Sequence, residues 1–451
     1  MRMWFKMVLV AAMTLAILIP LALVHGVTAE RQSYRRQAVA DVMRSYAGPQ
    51  AVTGPVLTVP YSEIAEFDEP GGDGVAHTVR KRRWSQWTFF PTRLAAGGPL
   101  VPATRKRGIY AVPVYEWTAT LAAEFDATIP DDAAPGAERV IGVPVLSYAI
   151  TDVRGLHGAP RLRVDGVEME LHEGSGIRAG SGLHARLAAL APGAHLALAT
   201  RLDMQLAGAE SLGIVPIAKR NRIDLVSSWP HPSFQGLSPW RSRITDGGFR
   251  AQWQVASVAT DAQRQFLGGA VALPFAGTDT GNATGGIDVL GVVLAEPVDA
   301  YTQADRATKY GVLFVVLTFV GLFMFELVRQ LPIHPIQYGL VGLALVIFFL
   351  LLVSLGEHVD FGVAYVVASG ACIGLIGFYL SAVLRSAARG GAFAAMLALL
   401  YGALYGLLIS EDNALVLGAG LLFAILAGIM TVTRRVDWYR LGAPATPGTR
   451  E

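Results

Sequence analysis

The sequence predicts a membrane protein with six transmembrane helices, one followed by five, and a large all-β, antiparallel sandwich-like domain inserted between the first and second. Three observations carry this. Hydrophobic residues make up 53% of the chain and charged residues only 16%, which is far from a soluble composition. The charges are concentrated: 28 of the 37 Lys and Arg and 28 of the 35 Asp and Glu lie between Gly26 and Lys309. The apolar pattern also changes along the chain, from short alternating segments before Pro297 to long unbroken runs after Lys309.

The first apolar run, Met7 to Val24, covers 18 residues after Arg2 and Lys6 and is long enough to span a bilayer. A cleaved signal peptide is the competing reading, with Val27-Thr28-Ala29 as its small-residue site. The anchor is favoured because the run exceeds a usual signal core and a helix continues past it. Tyr34, Ala38, Val42 and Tyr46 recur every four residues among charges, and Gly48-Pro49 stops the pattern. The chain thus divides into an anchor (1–25), a helical stalk and linker (26–54), a β-rich domain (55–300), a linker (301–309), a five-helix bundle (310–433) and a tail (434–451).

In the β region, Leu196–Leu206 alternates cleanly, with Leu196, Leu198, Leu202, Met204 and Leu206 on one face and Arg201, Asp203 and Gln205 on the other. Arg161–Leu171 reads as a hairpin about Asp165-Gly166, because glycine accepts the positive φ of a type I′ turn. That register pairs Val164 with Val167 and Leu162 with Met169, and matches Arg163 with Glu168 and Arg161 with Glu170. Further strands are predicted at Val56–Ile64, Trp84–Phe90, Gly108–Phe125, Val140–Thr151, Arg222–Trp229, Phe249–Val258 and Val289–Glu296, with an exposed loop at Asp68–Ala76.

The later spans are predicted at Tyr310–Val328, Ile336–Leu355, Phe361–Leu384, Ala392–Ile409 and Ala414–Val432. Arg2, Lys6, Arg329, Arg385, Arg389, Arg434, Arg435 and Arg440 collect on one side, whereas the loops Gly356–Asp360 and Ser410–Asn413 hold no Lys or Arg. This asymmetry puts both termini in the cytoplasm and the large domain outside.

A near-neutral soluble region argues against nucleic-acid binding, which needs a dense excess of cations. Cys372 is the single cysteine, so no intrachain disulfide forms. No catalytic, cofactor-binding or metal-ligating constellation stands out, and the Gly/Ser-rich stretch His172–His184 reads as a surface loop. Trp229-Pro-His-Pro-Ser-Phe234 is a candidate contact loop, with His231 between two prolines and Trp229 and Phe234 as anchors; a rigid crossover is the plainer alternative. Arg80–Arg83 with Trp84 and Trp87, near Arg105–Arg107, suits anionic surfaces or a solvated hairpin end. Asp305, Arg306, Lys309, Glu357 and His358 are candidate contacts between the β domain and the bundle. Inside the spans only Glu326 is ionisable, close to Arg329, and the pairs Gly370/Gly374 and Gly402/Gly406 read as close helix-packing faces.

Several strings along the chain resemble the CreD family of Gram-negative inner-membrane proteins. They include Gly54–Pro60, Lys106–Tyr110, Asp152–Gly155, Ser228–Phe234 and Gly248–Trp253, and most closely Tyr301–Tyr310, His334–Tyr338, Glu357-His358 and Asp437–Tyr439. The resemblance implies a periplasmic placement for the β domain and a protein made under carbon-source or envelope-stress control. It also implies a role in envelope integrity, colicin tolerance and, in some bacteria, β-lactam response. It carries no catalytic residue and no cofactor. The expected partners are the lipid bilayer and periplasmic or envelope components. The alternatives are a transporter of an apolar or lipidic substrate, a transmembrane sensor working through a cytoplasmic partner, and, last, an envelope enzyme.

Overall fold

The computed structural model describes residues 3–70, 76–133, 138–176, 180–275, 286–294, 300–329, 333–410 and 414–434. The middle of the loop predicted at Asp68–Ala76, the acidic loop at 411–413 and the Asp437–Tyr439 string lie outside them. The ends of that predicted loop, Asp68–Pro70 and Ala76, are strand, with Pro70 paired to Ala76. The chain forms two compact units, Met1–Arg36 with Val298–Glu451, and Gln37–Pro297.

The second unit is built from β-strands. In chain order they are β1 (Gln50–Pro70), β2 (Ala76–Phe89), β3 (Arg93–Arg107), β4 (Tyr110–Thr128), β5 (Arg139–Ile141), β6 (Val145–Ile150), β7 (Leu156–Val164), β8 (Val167–Met169) and β9 (His172–Glu173). Then follow β10 (Gly182–Arg186), β11 (His195–Ala209), β12 (Ser211–Ile214), β13 (Arg220–Ser227), β14 (Pro232–Gln235), β15 (Arg241–Thr245), β16 (Gly248–Ala256) and β17 (Leu290–Leu294). They pair into a nine-stranded sheet, β14-β17-β12-β1-β6-β10-β9 with β2 and β5 also on β1, and an eight-stranded sheet, β15-β16-β13-β3-β4-β11-β7-β8. The inner faces share one core, with Trp117, Tyr148 and Trp253 fully buried.

The alternation in β11 is realised as read: Leu196, Leu202, Met204 and Leu206 are buried while Arg201 and Gln205 are exposed. The hairpin register also holds, with Leu162 opposite Met169 and Val164 opposite Val167, and Asp165 (φ 50°) and Gly166 (φ 82°) both left-handed. Its dry face ends before the tip, since Val167 is 64% exposed. The prediction of an antiparallel sandwich needs one correction. β1 pairs with β12, and β13 with β3, in parallel. Alternation decides which face of a strand is buried, but the path of the chain between sheets decides its neighbour.

Helix α1 runs unbroken from Met3 to Ser45, through Pro20, and its last turn is fastened to the β unit. Val42 is buried with Val112, Val114 and Ala209. Arg154 donates to the carbonyls of Arg44 (2.9 Å) and Met43 (3.4 Å), two acceptors that a helix end leaves open. Asp152 orients it, accepting from Arg154 Nη2 at 2.6 Å and from the Gly48 amide at 3.0 Å. Buried Gln50 completes the clip, donating to the Asp152 and Ala207 carbonyls and accepting from the Asp152 amide. A Cβ on Gly155 would run into the Ala207 carbonyl, so only glycine fits there.

The Arg154 guanidinium, then the two backbone amides, hold the Asp152 carboxyl below its usual range. A depressed folded-state value means that this stabilisation is complete above the unfolded carboxylate value of about 4 and is lost as pH falls through the folded one. Asp152→Asn is therefore expected to cost about 1–2 kcal/mol at pH 7, discounted for the exposed guanidinium. The gap to the parent should close towards pH 3 in denaturant unfolding followed by tryptophan fluorescence.

Among the described residues, five helices are long and apolar enough to cross a bilayer. Their qualifying stretches are Val8–Ser45 of α1, Gln303–Glu326 of α3 (Ala300–Arg329), Pro335–Gly356 (α4), Phe361–Val383 (α5) and Ala387–Ile409 (α6). A short helix, α2 (Ala262–Leu267), belongs to the β unit. The sixth predicted span forms α7 (Ala414–Thr433), whose described apolar stretch, Val416–Thr431, is shorter. Residues 301–309, read as a linker, are instead the first turns of α3. The i,i+4 pair Lys309–Asp305 (2.8 Å) and the buried Ala304 and Ala307 favour helix there.

The glycine pairs are a second correction. Gly370, Gly374, Gly402 and Gly406 have nothing within 4 Å of an added Cβ. The close approaches are elsewhere: a Cβ at Gly342 would come within 2.6 Å of Ile17 of α1, and one at Gly390 within 2.7 Å of the Ser381 backbone. Spacing of four puts two glycines on one face, but the larger apolar surface of the opposite face takes the interior.

Candidate functional site

Polar side chains in the membrane unit gather at the two ends of the α3–α4 hairpin. At one end Asp305, 20% exposed, pairs with Lys309 (2.8 Å) on its own helix and with His25 (3.2 Å) of α1. Glu357, 11% exposed at the end of α4, pairs with Arg31 of α1 at 3.4 Å. Arg306 is half-buried on α3, and exposed His358 places Nδ1 3.2 Å from the Ser354 carbonyl. Of the five residues singled out at this junction, Asp305 and Lys309 touch each other, and the two carboxylates grip α1. Such partly exposed pairs stabilise modestly. Their chief effect is to hold the α1 extension in register against α3 and α4.

At the other end Glu326 is 7% exposed and accepts from the Tyr338 hydroxyl (2.8 Å) and the Ile333 amide (3.3 Å). The string His334-Pro-Ile-Gln-Tyr338 explains itself here. His334 caps α4, accepting from the Ile336 amide, while the Gln337 side chain accepts from the His334 amide and Pro335 fills the first turn. Sequence reasoning placed Glu326 beside Arg329 and missed Tyr338. The signal was available in the facing ends of two spans joined by a short turn.

Between these ends the bundle interior is aromatic. Tyr365 donates to the Tyr401 carbonyl (2.7 Å), Tyr401 to Cys372 Sγ (3.1 Å) and Cys372 to the Ala344 carbonyl (3.4 Å). Phe348 packs edge-on against Tyr401 at 4.6 Å. These polar atoms are engaged in holding helices together. A cavity of about 550 Å³ lies among α3, α6 and α7, with Leu317, Met324, Met396 and Ile425 in its wall.

In the β unit, the loop from Trp229 to Phe234 is a strand-bearing crossover. The Trp229 indole donates to the His231 carbonyl (3.2 Å), and Pro232–Gln235 forms β14 against β17. Phe234 meets Phe249 and Trp253 edge-on at 5.7 and 5.6 Å, so His231 is the exposed member of the three. The two basic stretches separate into different sheets. Arg80–Arg83 line β2, exposed. Arg105 covers the Tyr46 ring at 4.7 Å and Arg107 approaches Asp41 at 3.8 Å, both at the end of α1. Trp87 stacks on Tyr61 with Arg139 over both rings. In the Gly/Ser-rich loop His184 Nδ1 lies 2.9 Å from the Gly174 carbonyl. Among the described residues no group of three or more His, Cys, Asp and Glu is placed to hold a metal.

Long apolar helices, polar fastenings at their ends and a large sheet-rich unit in the same chain define a multi-pass membrane protein. Residues 2–439 match the family described as Inner membrane protein CreD, and the chain belongs to that family. It is 34% identical over 454 aligned residues to the inner membrane protein CreD of Escherichia coli (strain K12), covering 100% of this chain and 96% of that protein. Multi-pass residence in the inner membrane follows from the family and the helices together.

Proposed function

We propose that this protein maintains cell-envelope integrity, including tolerance of colicins and β-lactams under stress, by contacts of a β domain held in the periplasm, without a chemical step of its own. The observation that carries the reading is CreD membership across residues 2–439 of a chain in which a large β unit is borne by membrane helices. The loops without Lys or Arg favour the outward placement of that unit and cytoplasmic termini. The engagement of Glu326, Tyr338, Tyr365 and Tyr401 in hydrogen bonds between helix ends and backbones favours a structural bundle. Exposed His231 is the outward element of the contact loop, and Asp305 and Glu357 keep the helix that leads into the β unit in place.

Deleting the gene under inducing conditions is expected to raise envelope permeability and sensitivity to colicin and β-lactam. Unchanged sensitivity would remove the reading. Orientation has its own check. Val258→Cys, at a 94% exposed site in the β unit, should react with a membrane-impermeant maleimide from the periplasmic side, whereas buried Cys372 should not. A second reading, a carrier of an apolar or lipidic molecule, draws on the apolar cavity among α3, α6 and α7. Met396→Trp would fill it, and an integrity phenotype lost in that variant at normal protein level would favour the carrier.

A further inference from the structure

The outer face of the eight-stranded sheet carries a concavity of about 950 Å³ whose charged lining is five arginines, Arg93, Arg163, Arg201, Arg220 and Arg222, and one carboxylate, Glu124. The residues come from five strands, and the register brings them into two banks. Arg220 of β13 lies beside Arg93 of β3, with Arg222 next along β13 on the same face. Arg201 of β11 lies beside Arg163 of β7. Between the banks runs a floor of small side chains, where Ala95 of β3 faces Ala122 of β4, and Ala199 of β11 faces Glu124. At about 4.8 Å per strand, the banks stand about 10 Å apart at their inner strands, β3 and β11, and about 19 Å apart at their outer ones, β13 and β7.

Acidic neighbours account for only part of this charge. Glu124 approaches Arg93 at 3.6 Å, and Asp203 takes Arg201 Nε at 3.0 Å. Arg163 faces Glu168 in register and also feels the Asp203 carboxylate, whereas Arg220 and Arg222 make no ion pair and no side-chain hydrogen bond among the described residues. Five guanidinium groups only partly compensated around one groove repel each other and create a field that draws in anions. All five cations are arginine, whose planar fork bonds phosphate or carboxylate through two donors.

We propose that this groove binds an anionic glycan, a saccharide chain whose phosphate or carboxylate groups lie between the two arginine banks. One small anion cannot span from Arg222 on β13 to Arg163 on β7, four strands apart, whereas an extended chain can. The alanine methyls offer a shallow apolar floor for the C–H faces of sugar rings. A concave site is also poorly matched to a flat bilayer surface. The biological access of such a glycan rests on the periplasmic placement proposed above, but the binding itself does not.

The test uses the full chain in lipid nanodiscs, with fluorescent oligogalacturonate as carboxylate probe, a phosphorylated mannan oligosaccharide as phosphate probe, neutral dextran, and phosphatidylglycerol vesicles. At least one anionic glycan should bind and dextran should not, and the better of the two anionic probes names the charged group. The double variant Arg163→Gln/Arg222→Gln, one residue from each bank, should weaken binding at least about tenfold and flatten its salt dependence. Arg163→Lys/Arg222→Lys should fall between, since it keeps charge and loses the fork. Arg82→Gln/Arg83→Gln, on exposed β2, should bind as the parent does, and unfolding midpoints should confirm that all variants are folded. The proposal is overturned if neither anionic glycan binds, if the groove variant binds like the parent, if the β2 variant loses as much, or if only vesicles bind. A groove that fails beside a clear deletion phenotype removes this proposal alone; binding without a phenotype removes the envelope role and leaves the groove.

Discussion

Glu326→Ala is expected to lower the stability of the membrane unit by about 2–4 kcal/mol, because it strands the Tyr338 hydroxyl and the Ile333 amide together. An ionisable side chain within a span is by default a functional marker. Here its oxygens serve the turn between α3 and α4, so the cost should appear as unfolding and reduced protein level. Glu326→Gln keeps an acceptor and should cost less than half as much. Tyr338→Phe removes the donor and should cost about 1 kcal/mol, in the range of hydrogen bonds measured inside membranes. The double variant Glu326→Leu/Tyr338→Phe should lose less than the sum of its parts, since it leaves no Tyr338 hydroxyl stranded and only the Ile333 amide without its acceptor. Thermal unfolding in detergent gives the coupling. An additive cycle, or a stable Glu326→Gln protein that fails to restore envelope integrity, would instead make Glu326 a working group.

Gly390→Leu is expected to be the most disruptive substitution between α5 and α6. Even a Cβ at this position would come within 2.7 Å of the Ser381 backbone, and the side chain would force the two helices apart. Overpacking of this kind costs about 1–3 kcal/mol or more, and small residues are what allow membrane helices to approach. Gly402→Leu is the matched control on the same helix, where nothing lies within 4 Å of an added Cβ. The first should lower folded yield and unfolding temperature sharply and the second should change them little. Equal effects would mean that the outward glycine face, not the Gly390 contact, is the packed one.

How much of this was legible in the sequence varies with the physical origin of each feature. The buried and exposed faces of β11 and the register at the Asp165-Gly166 turn were read correctly, because alternation and a positive-φ turn are local properties. The strand runs longer than expected, and the expected Arg161–Glu170 pair lies outside the register. Helices α3 to α6 were likewise evident from run length alone. The contact loop was half legible. Two prolines signalled a constrained backbone, but only the fold shows Phe234 between Phe249 and Trp253. The junction residues were singled out by charge at span ends, while their partners on α1 lie some 280 to 330 residues away in the chain, beyond any local pattern. The arginine groove was not read at all. Arg163 and Arg201 were recognised as outward-facing, yet nothing in β7 or β11 says that β13 will bring Arg220 and Arg222 to the same surface.

The sequence by itself determined the class of this protein, its alternating β region, its apolar spans and the basic asymmetry at their ends. Each of these follows from composition or from a period shorter than one element. Only the tertiary structure decided the two parallel strand pairings, the first turns of α3 in place of a linker, and the choice of Gly390 over Gly402 as a contact. It alone set Tyr338 against Glu326 and gathered five arginines from four strands. A local pattern states which face of an element is dry or wet, whereas the identity of the facing element is settled by the packing of the whole chain.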